Sequence, residues 1–442
     1  MENKTTAVVE KKYLYSFVVI TCLFALWGFA NDITNPMVAA FQTILEVSNA
    51  KASLVQFAFY GGYATMAIPA ALFIRKCGYK SGVLLGLGLY AIGALLFIPA
   101  AAYENFYFFL GSLYILTFGL AFLETTANPY ILAMGSPETA TRRLNFAQSF
   151  NPMGSLCGMF IASNVILNSL SSDKRDAAGN LLYTTMDVAE KAAIRTHDLA
   201  VIRNPYVAIG LVVLAFFFII LFSKMPTFNK ANKAVKVSES FKRLLANKKY
   251  REGVIAQVFY VAVQIMCWTY IIQYAENIGL TKMEAQHHNI IAMVCFLSTR
   301  FIGTYLMKYF KTNQILLVFA LAGMCTISGV ILIGGHIGLY LLMATSLFMS
   351  IMFPTIYGIA LEGQTDDDAT LGAAGLVMAI VGGAVMPPLQ GTIMDIGGTG
   401  MADTMILGFI PEVNFSFILP FFCFIIIAIY AYRVGQFNKQ NN

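Results

Sequence analysis

Apolar residues fill this chain in long runs, and the polar residues collect between them. A bilayer core of about 30 Å is crossed by roughly 20 mostly apolar residues of helix. Runs of that length, bounded by charges, Pro/Gly clusters or Asn/Asp, predict twelve spans at 13–41, 52–74, 81–101, 106–133, 144–167, 205–223, 253–275, 285–307, 314–333, 337–361, 371–393 and 413–432. Several are longer than a perpendicular crossing needs, so tilt is expected. The pattern therefore predicts an all-α membrane protein with twelve transmembrane helices, lying in a lipid bilayer.

Composition agrees with this. Of 442 residues, 58% are hydrophobic and 12% charged, against about 45–50% and 25% in soluble domains. The net charge of +6 comes from 29 basic and 23 acidic residues, and position matters more than sum. With both termini placed in the cytoplasm, 21 basic residues fall in cytoplasmic segments and 7 outside, leaving Arg300 within the eighth span. That bias is the positive-inside signature, so the excess reports orientation and calls for no nucleic acid.

The densest basic stretch divides the chain into a six-helix half at 1–223, a cytoplasmic linker at 224–252 and a second six-helix half at 253–442. Trp27 against Trp268, Pro129 against Pro354 and Pro152 against Pro387 stand at similar offsets, as in transporters built from parallel repeats. The seven cysteines are scattered without a CxxC pair, so neither a disulfide framework nor a zinc site is expected. No metal and no cofactor is expected. The first apolar run lacks a small-residue cleavage site and reads as a retained span.

Charge at mid-bilayer is costly and usually functional. Most carboxylates fall in loops or at span ends; Asp32 and Glu124 do not. Asp32 lies in Asn31-Asp32-Ile33-Thr34-Asn35-Pro36, where Asn31 and Asn35 are one turn apart and Pro36 would break the helix. A broken, polar segment at depth can expose backbone carbonyls to a cavity; the alternative is a helix cap for a segment starting at Pro36. Glu124 has Asn128 one turn on. Loss of water favours a carboxyl's neutral form, so such a group can take a proton on one side and release it on the other; the alternative is a structural ion pair or hydrogen bond.

Span five carries Gln148, Asn151 and Ser155 on one face, with Gly154 and Gly158 for close helix contact. Span seven carries Gln257, Tyr260, Gln264 and Trp268 as one stripe. Amides exchange hydrogen bonds with hydroxyls and aromatic faces pack on the C–H face of a pyranose, which suits a sugar; an interhelical hydrogen-bond ladder is the alternative. The four histidines, His197, His287, His288 and His336, are read as loop residues, and Glu276, Glu362 and Asp395 as caps or gates near span ends.

Several segments taken in order, Trp27-Gly28-Phe29-Ala30-Asn31-Asp32, Phe59-Tyr60-Gly61-Gly62-Tyr63, Leu123-Glu124-Thr125-Thr126-Ala127-Asn128-Pro129, Ala147-Gln148-Ser149-Phe150-Asn151-Pro152, Cys267-Trp268-Thr269-Tyr270, Arg300-Phe301-Ile302-Gly303-Thr304 and Phe353-Pro354-Thr355-Ile356, resemble the fucose/galactose/glucose proton symporter family of the major facilitator superfamily. The resemblance implies a proton-coupled sugar importer in a bacterial inner membrane, monomeric, with two membrane carboxylates. L-Fucose is the first expected sugar, and glucose or galactose the alternative.

Glu124 sits in the matching motif. In span one the family pattern Asn-Asn-Leu-Asn-Asp is replaced by Asn31-Asp32-Ile33-Thr34-Asn35, so Asp and Asn stand exchanged across one turn, and whether Asp32 carries proton, sugar or both stays open. The expected proton-coupling pair is Asp32 and Glu124, and the expected sugar ligands are Asn31, Asn35, Asn128, Gln148, Asn151, Gln257, Tyr260, Gln264 and Trp268. Alternating access, with the halves rocking about a midplane site, is the expected mechanism.

Rival readings are a proton-driven exporter, against which the amide-rich stripes argue, and a sugar sensor without transport. An intramembrane enzyme is not expected, since there is one deep Asp, no GxGD segment and no HExxH.

Overall fold

The computed structural model describes residues 8–34, 37–46, 54–172, 174, 182–228, 237–280, 282–394, 396 and 405–440. Among these, twelve helical stretches are long and apolar enough to cross a membrane. All twelve correspond in order to the runs read from the sequence. Beyond them the described residues hold one small hairpin, in which Met405–Ile406 pairs antiparallel with Ile410–Pro411.

The sixth helix departs most from expectation. It runs over Val188–Phe222, 35 residues or about 52 Å of rise, and takes in much of the segment expected to be a loop. Asp187 caps its N-terminus through the backbone N–H of Glu190, whose side chain reaches back to Asp187 in a capping box. An apolar run marks only the stretch that lipid covers, and the polar start of this helix is held by its cap. The histidines, read as loop residues, are corrected too. His197 lies in this helix, His287 and His288 in the early turns of Lys282–Leu306, and His336 in the first turn of Gly335–Met349.

Several spans are discontinuous. The break expected at Pro36 lies outside the described residues, and helix is described on either side of it, over Leu14–Thr34 and Met37–Ile44. The fifth is split at Ser149 between Ala140–Gln148 and Phe150–Ile161. The tenth is split between Gly335–Met349 and Met352–Leu361, and the eleventh passes through a tight turn of helix at Ala379–Val381. These breaks stand beside Pro152, Pro354 and Pro387, each of which removes a backbone donor from its helix.

The contacts divide the chain into two compact units. One comprises Val18–Ala127 and Phe150–Lys230. Within it spans one and five approach closely: a Cβ on Gly154 would lie 1.8 Å from the carbonyl oxygen of Ala25, and one on Gly28 would lie 2.1 Å from that of Asn151. Only glycine permits this backbone approach. Phe97 stacks on Tyr206 at 4.0 Å between ring centres, and the Tyr206 hydroxyl lies 2.8 Å from that of Thr34.

The other unit comprises Met1–Phe17, Asn128–Ser149 and Ala231–Asn442. In it the start of span five packs with spans eight and ten. Arg143 is fully buried there and donates from Nε to the Ile131 carbonyl at 2.7 Å and from Nη2 to the Leu132 carbonyl. These are among the last carbonyls of span four, which lack partners within their own helix. Asn145 Nδ2 donates to Thr355 Oγ1 at 3.3 Å.

Candidate functional site

The candidate residues fall into two groups. In the unit holding Val18–Ala127, Asp32 and Glu124 are both buried, 5% and 7% exposed. The Asn31 amide donates toward Asp32 Oδ2 at 3.4 Å. Asp32 lies within electrostatic range of Tyr60, and Glu124 within range of Tyr63. Tyr60 and Tyr63 are buried and three residues apart on the second-span helix Leu54–Cys77, so they share a face. One helix thus places a tyrosine within the field of each membrane carboxylate. The spacing in Phe59-Tyr60-Gly61-Gly62-Tyr63 carried this signal, but which carboxylates the tyrosines meet depends on packing. Asn35 lies outside the described residues.

Asn151 and Ser155 do share a face, as expected, and it is turned on span one. The Asn151 amide donates to the Phe24 carbonyl at 3.2 Å and the Ser155 hydroxyl to the Gly28 carbonyl at 3.4 Å. These bonds tie the two closely packed helices, and half-buried Asn151 keeps its amide oxygen and a second N–H for other partners.

In the second unit Gln148 Nε2 donates to Asn128 Oδ1 at 2.8 Å, so these two expected ligands form a bonded pair. On the helix Lys248–Asn277, Tyr260 donates to the Met349 carbonyl at 3.1 Å and Trp268 Nε1 to Ser346 Oγ at 3.2 Å. Trp268 also meets Phe296 edge-on at 5.0 Å. Two members of the stripe thus bind span ten, as an interhelical ladder would. Gln264 is half-buried. Gln257 differs from all of these: it is fully buried, and neither its amide oxygen nor its nitrogen has a hydrogen-bond partner among the described residues.

Arg300, 3% exposed, donates from Nη1 to the Gln148 carbonyl at 2.9 Å and from Nε to the Ser350 carbonyl, with its guanidinium 4.7 Å from the Phe296 ring centre. From the sequence Arg300 stood out as a charge within a span and as part of a matching segment, without a role. Three further buried carboxylates did not stand out there. Asp198 accepts from the backbone N–H groups of Ser171 and Ser172 at 2.9 and 2.8 Å, Asp368 pairs with Arg243, and Glu412 is fully buried at the start of the last span. Glu362, read as a cap or gate, is exposed and pairs with Lys249 at 2.7 Å. Asp395 lies outside the described residues, as does the side chain of Glu276.

Twelve spans with broken helices, two buried carboxylates and clustered amides define a multi-pass secondary transporter. The chain belongs to the Major Facilitator Superfamily, whose family model matches residues 20–387. It is 64% identical to the L-fucose-proton symporter of Haemophilus influenzae over 98% of this chain and 99% of that protein. It is 34% identical to the L-fucose-proton symporter of Escherichia coli over 96% and 93%. A crystal structure of the E. coli fucose:proton symporter aligns with a TM-score of 0.84 at 32% identity, covering 96% of this chain and 99% of that one. These relatives are transporters, and the chain is no enzyme.

Proposed function

We propose that this protein imports L-fucose together with protons across a bacterial inner membrane, exposing its sugar and proton sites alternately to the two sides. The observation that carries this reading is the 64% identity to an L-fucose-proton symporter along nearly the whole of both chains, in a molecule whose two deep carboxylates are buried. The glucose/galactose transporter of Brucella abortus is more distant, at 30% identity.

Asp32 and Glu124 carry the proton in this reading. A neutralised carboxyl lets the loaded carrier close without enclosing an unpaired anion, and each charge moving down the membrane potential supplies about 2.3 kcal/mol per 100 mV. The sugar's hydroxyls are met by Asn31, Asn35, Asn151, the Gln148–Asn128 pair, Gln257 and Gln264, and its apolar face by Tyr260 and Trp268. Gln257 fits the role because its unmet donors and acceptor are what a hydroxyl satisfies. The protein acts as a monomer in the bilayer, with 1–223 and 253–442 as its two halves and both termini cytoplasmic.

The test is sugar-dependent alkalinisation of a lightly buffered suspension of cells making this protein. A rise in external pH on adding L-fucose, larger than with D-galactose, D-glucose or L-arabinose, is expected. Fucose uptake without proton movement would overturn the coupling, and a larger response to D-glucose or D-galactose would overturn the choice of sugar.

A further inference from the structure

The segment between the two proposed halves contains a helix that transport does not explain. It spans Val237–Ala246, and Asn247 alone separates it from the span-seven helix that starts at Lys248. One edge is docked. Ser240 and Leu244 are buried, Arg243 makes a two-pronged pair with Asp368 (Nε to Oδ2 at 2.9 Å, Nη2 to Oδ1 at 2.8 Å), and Leu244 lies against Gly372. Asp368 begins the eleventh candidate span. The helix is therefore anchored at the ends of two membrane spans.

Its neighbouring edge is apolar and open. Val237, Phe241 and Leu245 recur every fourth residue and are 43%, 42% and 49% exposed. At about 100° per residue this stripe lies next to Leu244, while Glu239, Lys242 and Ala246 fall on the far side. Leu244 points toward the interior of span eleven, since Gly372 is one turn in from Asp368. The open stripe lies beside it, and Ile255, about two turns into the span-seven helix from Lys248, is likewise 51% exposed.

Charge selects the occupant. Between residues 224 and 251 the chain has nine basic residues and a single acid, Glu239. Lys242, Lys248 and Arg251 are exposed on or beside this helix. A helix with an apolar stripe and basic flanks at the end of membrane spans matches the physics of interfacial helices, which sink their apolar face below the headgroups and set their cations against anionic ones.

We propose that Val237–Ala246 lies on the cytoplasmic surface of the bilayer, with Val237, Phe241 and Leu245 below the headgroups and Lys242, Lys248 and Arg251 on anionic phosphates. The occupant of the open stripe is lipid, neither solvent nor a second copy of the chain.

The test places a fluorophore at the stripe in the full chain, reconstituted one molecule per lipid nanodisc. Phe241→Trp adds a third tryptophan to Trp27 and Trp268, whose signal is subtracted using the parent protein. The added signal is expected to be blue-shifted, shielded from acrylamide, and quenched at least twofold by lipids brominated near the headgroup, more strongly in phosphatidylglycerol than in phosphatidylcholine. Lys242→Gln with Arg251→Gln is expected to remove the difference between the two lipids.

Water-like emission with free acrylamide access and no bromine quenching would overturn the proposal. Shielding that appears only in discs holding two copies would overturn it in favour of a chain–chain contact. Equal quenching in both lipids would overturn the anionic contact. Leu245→Trp, on the same stripe, gives the same reading should Phe241→Trp not assemble.

Discussion

The guanidinium of Arg300 donates to the carbonyl of Gln148, 2.9 Å away and 152 residues earlier in the chain. That carbonyl is four residues before Pro152, and the other acceptor of Arg300, the Ser350 carbonyl, is four residues before Pro354. In an unbroken helix each would receive the N–H of the residue that is proline here, and proline has none. Arg300 thus supplies, from span eight, the donors that two prolines remove from spans five and ten. It also steadies the Gln148–Asn128 pair from behind.

Arg300→Met is expected to leave two buried carbonyls without donors, at about 1–3 kcal/mol each, lowering the melting temperature in detergent and cutting L-fucose uptake by about tenfold or more. Pro152→Ala restores the N–H opposite Gln148, so the double variant is expected to recover part of the lost stability. Strictly additive losses in that double-mutant cycle would show that Arg300 serves some other need.

Glu124→Gln and Asp32→Asn remove the titrating proton while keeping shape. Each is expected to abolish fucose accumulation driven by an imposed pH gradient, with sugar exchange across the membrane persisting in at least one. Undiminished accumulation by both variants in membrane vesicles would remove these residues from the coupling.

The spans were legible because lipid demands apolar runs, and Asp32 and Glu124 stood out because that demand makes a carboxylate conspicuous. The breaks at Ser149 and Ser350 were half legible. Pro152 and Pro354 announce carbonyls without donors, but that one arginine answers both is a property of packing. The start of span six was readable in Asp187 and Glu190, a pairing that hydropathy overlooks. Asp198 did not stand out because its neighbours are polar, whereas it turns inward to accept two backbone N–H groups. For Tyr260 and Trp268 the periodicity named a face correctly, and only the structure showed that the face meets span ten.

Close contact between spans one and five depends on Gly154, where a Cβ would press into the Ala25 carbonyl at 1.8 Å. Because the obstacle is backbone, no side-chain rotation relieves it. Gly154→Ala is expected to lose stability at the scale of core overpacking, about 1–3 kcal/mol, and Gly154→Val more. Thermal unfolding of the purified variants in detergent checks this ranking; a Gly154→Val protein as stable as the parent would mean the helices separate freely.

Gln257 offers a clean division between structural and functional roles. A buried amide without partners costs stability, and replacing it by an apolar side chain of similar size removes that cost. Gln257→Leu is therefore expected to melt at or above the parent's temperature. If the amide is reserved for a sugar hydroxyl, the same variant binds L-fucose about tenfold more weakly, a loss of about 1.4 kcal/mol. Calorimetric titration alongside thermal unfolding reads both quantities from one preparation. Lower stability with unchanged affinity would make Gln257 part of the helix packing and leave the sugar to the other amides.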